Sequence, residues 1–239
     1  MIPKIIHLCW LSGDKYPSKI AYCIKSWKKH LPDYEIRLWD LNRFDIGSSV
    51  WCQEAVEVGK YAFAADYIRC FALYTEGGIY LDSDVEVLRN MDALLNLPYF
   101  IGKEQGGEIE PAVMGCEKGW PLMKKMLDYY KDRHFKSGSG FDMVTLPCIM
   151  SDEIKRNYYM RDIANPEEFN NEPSEIYVFP ADYFSPKFPN SFKCANTENT
   201  YTVHHFAASW YPVDKKLFRL IRKLFGYKVA HFISKLIKG

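Results

Sequence analysis

No two cysteines in this chain are spaced C-x-x-C, and the seven present, at positions 9, 23, 52, 70, 116, 148 and 194, are odd in number. That argues against a disulfide scaffold. Several, Cys9 and Cys70 among them, lie in apolar stretches, which predicts buried free thiols in a reducing compartment. The opening Met1-Ile2-Pro3-Lys4 has no apolar core of the kind a secretory leader carries, no apolar run approaches the roughly 18 residues that span a bilayer, and no N-x-S/T acceptor site occurs. A cytoplasmic protein is expected. Net charge is only +1, so no whole-molecule field recruits a polyanion, and no basic patch interleaved with aromatics occurs outside the C-terminal tail; nucleic acid is not an expected partner. Internal repeats and low-complexity tracts are also missing.

With 48% hydrophobic and 26% charged residues among 239, the chain can bury the core of one compact domain. We expect that domain to span 1–213. A strand over 5–11, a helix over 18–30 and a strand over 34–39 alternate with the helix and strand of the next paragraph. That pattern predicts an α/β fold with a mostly parallel, mixed sheet flanked by helices. Ligands of such sheets bind at the carboxyl ends of the strands. Trp120-Pro121 reads as the start of a helix over 121–130, and the Gly- and Ser-rich stretches 102–107 and 137–140 read as loops.

The most informative stretch is 61–86, YAFAADYIRCFALYTEGGIYLDSDVE. Its first part is an apolar helix whose sole charges are Asp66 and Arg69. Their i,i+3 spacing puts them on one face, so an internal ion pair is one reading. Gly77-Gly78 ends the helix, and Ile79-Tyr80-Leu81 opens a strand in which Tyr80, Asp82 and Asp84 share a face by the period of two. Two carboxylates so close repel each other unless solvated or bridged by a cation. A hard divalent ion, Mg²⁺ or Mn²⁺, would be held by their oxygens and could in turn hold phosphates. A plain turn capped by Asp82-Ser83-Asp84 is the competing reading. A calcium loop of the EF-hand type is excluded, since its sixth and twelfth positions fall on Val87 and Ala93. Two other acid motifs match weakly: that of haloacid-dehalogenase-type phosphatases meets Glu86 at its fifth position, and that of polymerase-β-type nucleotidyltransferases needs a longer gap than Ile79-Tyr80-Leu81. His7, alone on its strand, is expected to make an internal hydrogen bond.

Residues 61–84 resemble the A-x-x-S/A-D-x-x-R…GG-x-Y-x-D-x-D signature of a family of retaining glycosyltransferases. It includes capsular-polysaccharide sugar transferases, the yeast initiating α-1,6-mannosyltransferase and, more distantly, the large glucosylating toxins. The segments 2–10, IPKIIHLCW, and 204–210, HHFAASW, resemble that family's opening I-P-K-x-I-H-x-x-W and closing H-x-x-x-S-W. The resemblance implies a GT-A-type Rossmann-like fold and a metal-dependent transfer of a hexose from a nucleotide diphosphate sugar, UDP-linked by preference and GDP-linked otherwise. The acceptor would be a glycan or lipid-linked molecule in polysaccharide biosynthesis. It implies that Trp10 stacks on the base and that Asp66 and Arg69 bind base, ribose and phosphate. Tyr80 lies in the same donor site, Asp82 touches ribose or a metal-bound water, and Asp84 ligates the metal. His205 is the expected C-terminal ligand, completing a set of Asp82, Asp84 and His205, with Ser209 and Trp210 closing over the diphosphate. Asp82, Asp84 and Arg69 would thus carry catalysis. A non-catalytic carbohydrate- or nucleotide-binding protein on the same fold is the alternative.

The tail over 214–239 has eight Lys or Arg against one acid, interleaved with Leu and Phe at helical spacing. A helix docked on the domain and a peripheral contact with an anionic membrane surface at the inner face of the membrane are both open.

Overall fold

The computed structural model describes residues 1–138, 140–188 and 191–207, and residues 218, 220–224, 226, 227, 229 and 231 of the tail, which are helical. In chain order the elements are β1 (Ile5–Cys9), α1 (Ser18–His30), β2 (Glu35–Trp39), α2 (Val50–Glu57), α3 (Tyr61–Glu76), β3 (Gly78–Leu81), β4 (Val85–Val87), β5 (Tyr99–Lys103) and β6 (Ile109–Cys116). There follow α4 (Pro121–Tyr130), β7 (Lys136–Ser137), β8 (Gly140–Phe141), α5 (Leu146–Asn157), β9 (Tyr159–Asp162), β10 (Glu175–Val178), α6 (Ala181–Phe184) and β11 (Thr202–His204).

The main sheet has the order β2-β1-β3-β6-β5. Its β1–β2 and β1–β3 pairs are parallel, and its β3–β6 and β6–β5 pairs antiparallel. The alternating first half of the chain therefore supplies the parallel part of the sheet, and the hairpin β5–β6 the antiparallel part. β3 and β6 are buried along their whole length, so their near-continuous apolar sequence reflects cover on both faces. The helix α3 packs on β1, β3, α2 and α4, and α5 packs on β6.

Gly77 ends α3 with φ +68, its N–H donating to the Leu73 carbonyl at 2.9 Å, and Gly78 follows at φ +103. A Cβ on Gly78 would lie 2.8 Å from the Ile5 carbonyl oxygen. The glycine pair thus turns the chain at once from a buried helix into the centre of the sheet. Pro121 occupies the first turn of α4. Two stretches expected as loops are not wholly so. Gly102 lies within β5 at a register shift, where a Cβ would press within 2.7 Å of the Phe184 ring; β7 and β8, flanking 138–139, form a short antiparallel ribbon. All seven cysteines are free, and Cys9, Cys23, Cys52, Cys70 and Cys116 are buried.

His7 is buried and satisfied inside the sheet: Nδ1 accepts from the Trp39 indole at 3.0 Å, leaving Nε2–H to donate to the Gly77 carbonyl at 2.7 Å. Burial holds its pKa below the ordinary histidine value, so it stays neutral.

Candidate active site

β3 ends at Leu81 and β4 begins at Val85, joined by a turn closed by the Val85 N–H on the Asp82 carbonyl at 2.9 Å. Tyr80 and Asp82 share a side as the strand period requires, the Tyr80 hydroxyl donating to Asp82 Oδ1 at 3.0 Å. Asp84 is a correction: it meets Asp82 through the turn, not by alternation along one straight strand. The neighbouring β6 fixes the turn, since the Asp82 N–H donates to the Ala112 carbonyl at 2.9 Å.

Arg69, reaching from α3, ties the two acidic motifs together. Its Nη2 lies 3.0 Å from Asp66 Oδ1 and 3.2 Å from Asp82 Oδ1, and its Nη1 donates to the Pro111 carbonyl at 2.9 Å. The guanidinium sits over the Tyr80 ring at 4.6 Å, and its buried Nε has no protein partner. The internal ion pair thus exists, but it is one arm of a bridge that ends on the D-x-D motif. Asp66 also faces the first amide of α5, the Leu146 N–H at 3.4 Å. Burial pushes the Asp66 carboxyl up to about 6, opposed by Arg69 and reinforced by Asp82. Burial raises Asp82 as well, against the pull of Arg69 and His204.

β11 pairs antiparallel with β4, His204 opposite Val85. Alternation along β11 turns Thr202 and His204 inward, Thr202 Oγ1 donating to the Phe184 carbonyl at 2.8 Å. His204 Nε2 lies 3.4 Å from Asp84 Oδ1, and Nδ1 lies 3.2 Å from Glu110 Oε2. The expected ligand His205 therefore points away from the acids: its Nε2 is 2.8 Å from Glu86 Oε2, whose other oxygen accepts from the Tyr22 hydroxyl at 2.5 Å. His204, one residue earlier, replaces it in the cluster. Asp84 accepts from two backbone amides of this segment, His205 N–H to its carbonyl at 3.1 Å and Ala207 N–H to Oδ2 at 2.6 Å. Burial alone would raise the Asp84 carboxyl, but the His204 charge and the Ala207 amide outweigh it and hold it well below the usual range. Burial likewise opposes the charge on His204, yet Asp84 and Glu110 raise its pKa far above the ordinary value.

Asp82, Asp84 and His204 each offer one ligand atom, all within 4.8 Å of one another. Two carboxylate oxygens and an imidazole nitrogen suit a small divalent ion that keeps its remaining positions for water or phosphate oxygens, so the donor set fits Mn²⁺ or Mg²⁺. Trp10 stands just past β1, half-buried, its N–H donating to the Trp39 carbonyl and its indole to Asp14, with its edge on Tyr16 at 5.0 Å. It follows the carboxyl end of β1, the strand that pairs in parallel with β3. Ser209 and Trp210 lie outside the described residues. Glu110 was not singled out from sequence, although it is the one charge in the eight residues of β6, and a lone acid in an otherwise buried strand is a signal of its own.

Residues 17–101, which include Asp66, Arg69, Asp82 and Asp84, match the family described as glycosyltransferase sugar-binding region containing DXD motif. Over that stretch the chain is similar to this family's sugar-binding region. Over 130 residues it is 35% identical to inositol phosphoceramide mannosyltransferase 3 of Schizosaccharomyces pombe, covering 53% of this chain and 36% of the relative. It is 31% identical over 150 residues to a mannosyl phosphorylinositol ceramide synthase of Saccharomyces cerevisiae, 61% of this chain and 39% of the relative. The chain thus spans somewhat over a third of these fungal proteins. An uncharacterised glycosyltransferase of Acanthamoeba polyphaga mimivirus is 25% identical over 224 residues, 89% of this chain and 85% of that one. Among solved structures the PaToxG glycosyltransferase superposes with a TM-score of 0.51 at 21% identity, over 65% of this chain and 68% of that one. The shared architecture is the GT-A type.

Proposed function

We propose that this chain is a glycosyltransferase, a metal-dependent, retaining hexosyltransferase that takes a sugar from a nucleotide diphosphate donor. The convergence of Asp82, Asp84 and His204 within 4.8 Å, braced by Arg69, is the observation that carries the reading. A bound Mn²⁺ or Mg²⁺ would offset the charge of the diphosphate and of the leaving oxygen as the sugar bond breaks. Arg69, held by Asp66 and Asp82, keeps its buried Nε–H as a donor for a ligand oxygen. Trp10 is proposed to stack on the base, with Ser209 and Trp210 closing over the diphosphate. Mannose is the favoured hexose and a phosphoinositol-containing lipid the favoured acceptor class, on the strength of the fungal relatives' names. UDP- and GDP-linked donors both enter the test.

The basic segment 214–239 is proposed to hold the enzyme at an anionic membrane surface on the cytoplasmic side. Its support is the charge pattern together with the exposure of Leu220, Leu224 and Tyr227, each about half accessible. No helix among the described residues is long and apolar enough to cross a membrane.

The test of the activity is nucleotide release from a panel of UDP- and GDP-sugars, with Mn²⁺ and with EDTA. One donor should be hydrolysed slowly in the presence of metal alone. No release with any donor, together with no metal-enhanced thermal shift by UDP or GDP, would leave a non-catalytic carbohydrate- or nucleotide-binding protein.

A further inference from the structure

We infer that Glu110 is a positioning residue that fixes the ring of His204 so that its Nε2 is presented to the metal; the inference rests on the metal-dependent reading above. Glu110 is buried in β6, and each of its carboxylate oxygens is already engaged. Oε1 accepts the Ala112 N–H at 3.1 Å, which anchors the side chain to its own strand, and Oε2 lies 3.2 Å from His204 Nδ1. Glu110 is accordingly not one of the three side chains whose ligand atoms cluster within 4.8 Å.

A neutral imidazole carries one N–H, and the nitrogen without it is the one that can ligate. A carboxylate on Nδ1 holds a proton there, so the proton that the charged ring gives up to an entering metal ion is the one on Nε2, whose lone pair then faces Asp82 and Asp84. The ring has little freedom to turn over, because Phe206 packs against it with centroids 4.0 Å apart, and Phe206 itself is held at φ +50. Replacing the carboxylate by an amide offers Nδ1 an N–H donor as readily as an acceptor. That removes the bias and admits the tautomer with its proton on Nε2, where no metal can bind. Carboxylate partners of this kind affect metal affinity by about 10–100-fold in other metal sites.

The experiment titrates the full chain with Mn²⁺ alone, reading free ion by electron paramagnetic resonance, for wild type, Glu110→Gln, Glu110→Asp and Asp84→Asn. UDP and GDP binding in EDTA and the thermal midpoint are measured beside it. Glu110→Gln should weaken Mn²⁺ by about 10–100-fold with metal-free nucleotide binding unchanged, and Glu110→Asp, which keeps the charge on a shorter arm, should fall between it and wild type. Should Glu110→Gln not fold, the drop in Glu110→Asp decides. Mn²⁺ affinity within about twofold of wild type in a folded Glu110 variant would overturn the positioning role. So would a loss as complete as that of Asp84→Asn, which would make Glu110 a ligand. Unchanged affinity in Asp84→Asn would instead remove the metal site itself, and with it the reading on which this inference rests.

Discussion

Replacing Asp84 by asparagine keeps the shape of the D-x-D turn and removes one of the two charges that would face a cation. Transfer should be abolished, and Mn²⁺-dependent binding of UDP or GDP lost; calorimetry with and without metal checks this, and unchanged metal-dependent binding would be incompatible with the assignment. Trp10→Ala should weaken the free nucleoside diphosphate by about 1–3 kcal/mol, the range for a base stacked on an aromatic ring, while a dissociation constant equal to wild type would return Trp10 to its contacts with Asp14 and Tyr16. Asp66 gives a signature in pH. Its carboxyl titrates at about 6 in the folded chain and near 4 when unfolded, so between those values the folded state holds the extra proton. This group's contribution to stability therefore falls as pH rises through that window, by about 3 kcal/mol at most, and is level above it. The difference in unfolding free energy between wild type and Asp66→Asn should trace that fall; a difference flat from pH 4 to 7 would show that Arg69 offsets burial completely. The residues of this bridge could be picked out because Asp66, Arg69, Asp82 and Asp84 lie within one short stretch whose helix and strand periods are strong. Glu110 carries only the signal of a lone acid in an apolar strand, and its partner His204 is joined to the site by tertiary pairing alone. Choosing between His204 and His205 requires the parity of β11, which depends on its register against β4.

At the scale of elements, the junction of α3 and β3 is tightly constrained. Gly78→Ala would set a Cβ 2.8 Å from the Ile5 carbonyl oxygen at a φ of +103. The strained backbone and the crowding of β1 together should cost about 2–4 kcal/mol. Urea unfolding would measure it, and a loss under about 1 kcal/mol would mean that β1 can move aside. The same junction was readable in the sequence, where Gly77-Gly78 separates an apolar helical run from β-branched and aromatic residues. α1 and α4 also span the residues that periodicity marks, α4 with Pro121 in its first turn. Gly102 was misread because composition marks a glycine as a turn, whereas here the missing side chain makes room for Phe184 against β5. The antiparallel half of the sheet was harder still. β6 is apolar apart from Glu110, and a nearly continuous apolar strand carries no mark of its direction.

For the molecule as a whole, attachment through the tail is tested by co-sedimentation with phosphatidylserine-containing vesicles, comparing the full chain with one ending at Val213. Each Lys or Arg near an anionic surface contributes about 1 kcal/mol, so the full chain should pellet and the shortened one remain in solution. Equal pelleting of both, or of neither, would reduce the tail to an ordinary terminal helix. A different consequence follows from the bonds that Asp84 makes to the amides of His205 and Ala207, the latter 123 residues further along the chain. During synthesis the D-x-D turn leaves the ribosome long before the strand that completes it. At about 5–20 residues per second the two acids wait on the order of ten seconds for their histidine and their amide donors. A product released before residue 204 would lack His204 and both amide donors, so premature termination there would leave the D-x-D turn without the groups that complete its cluster.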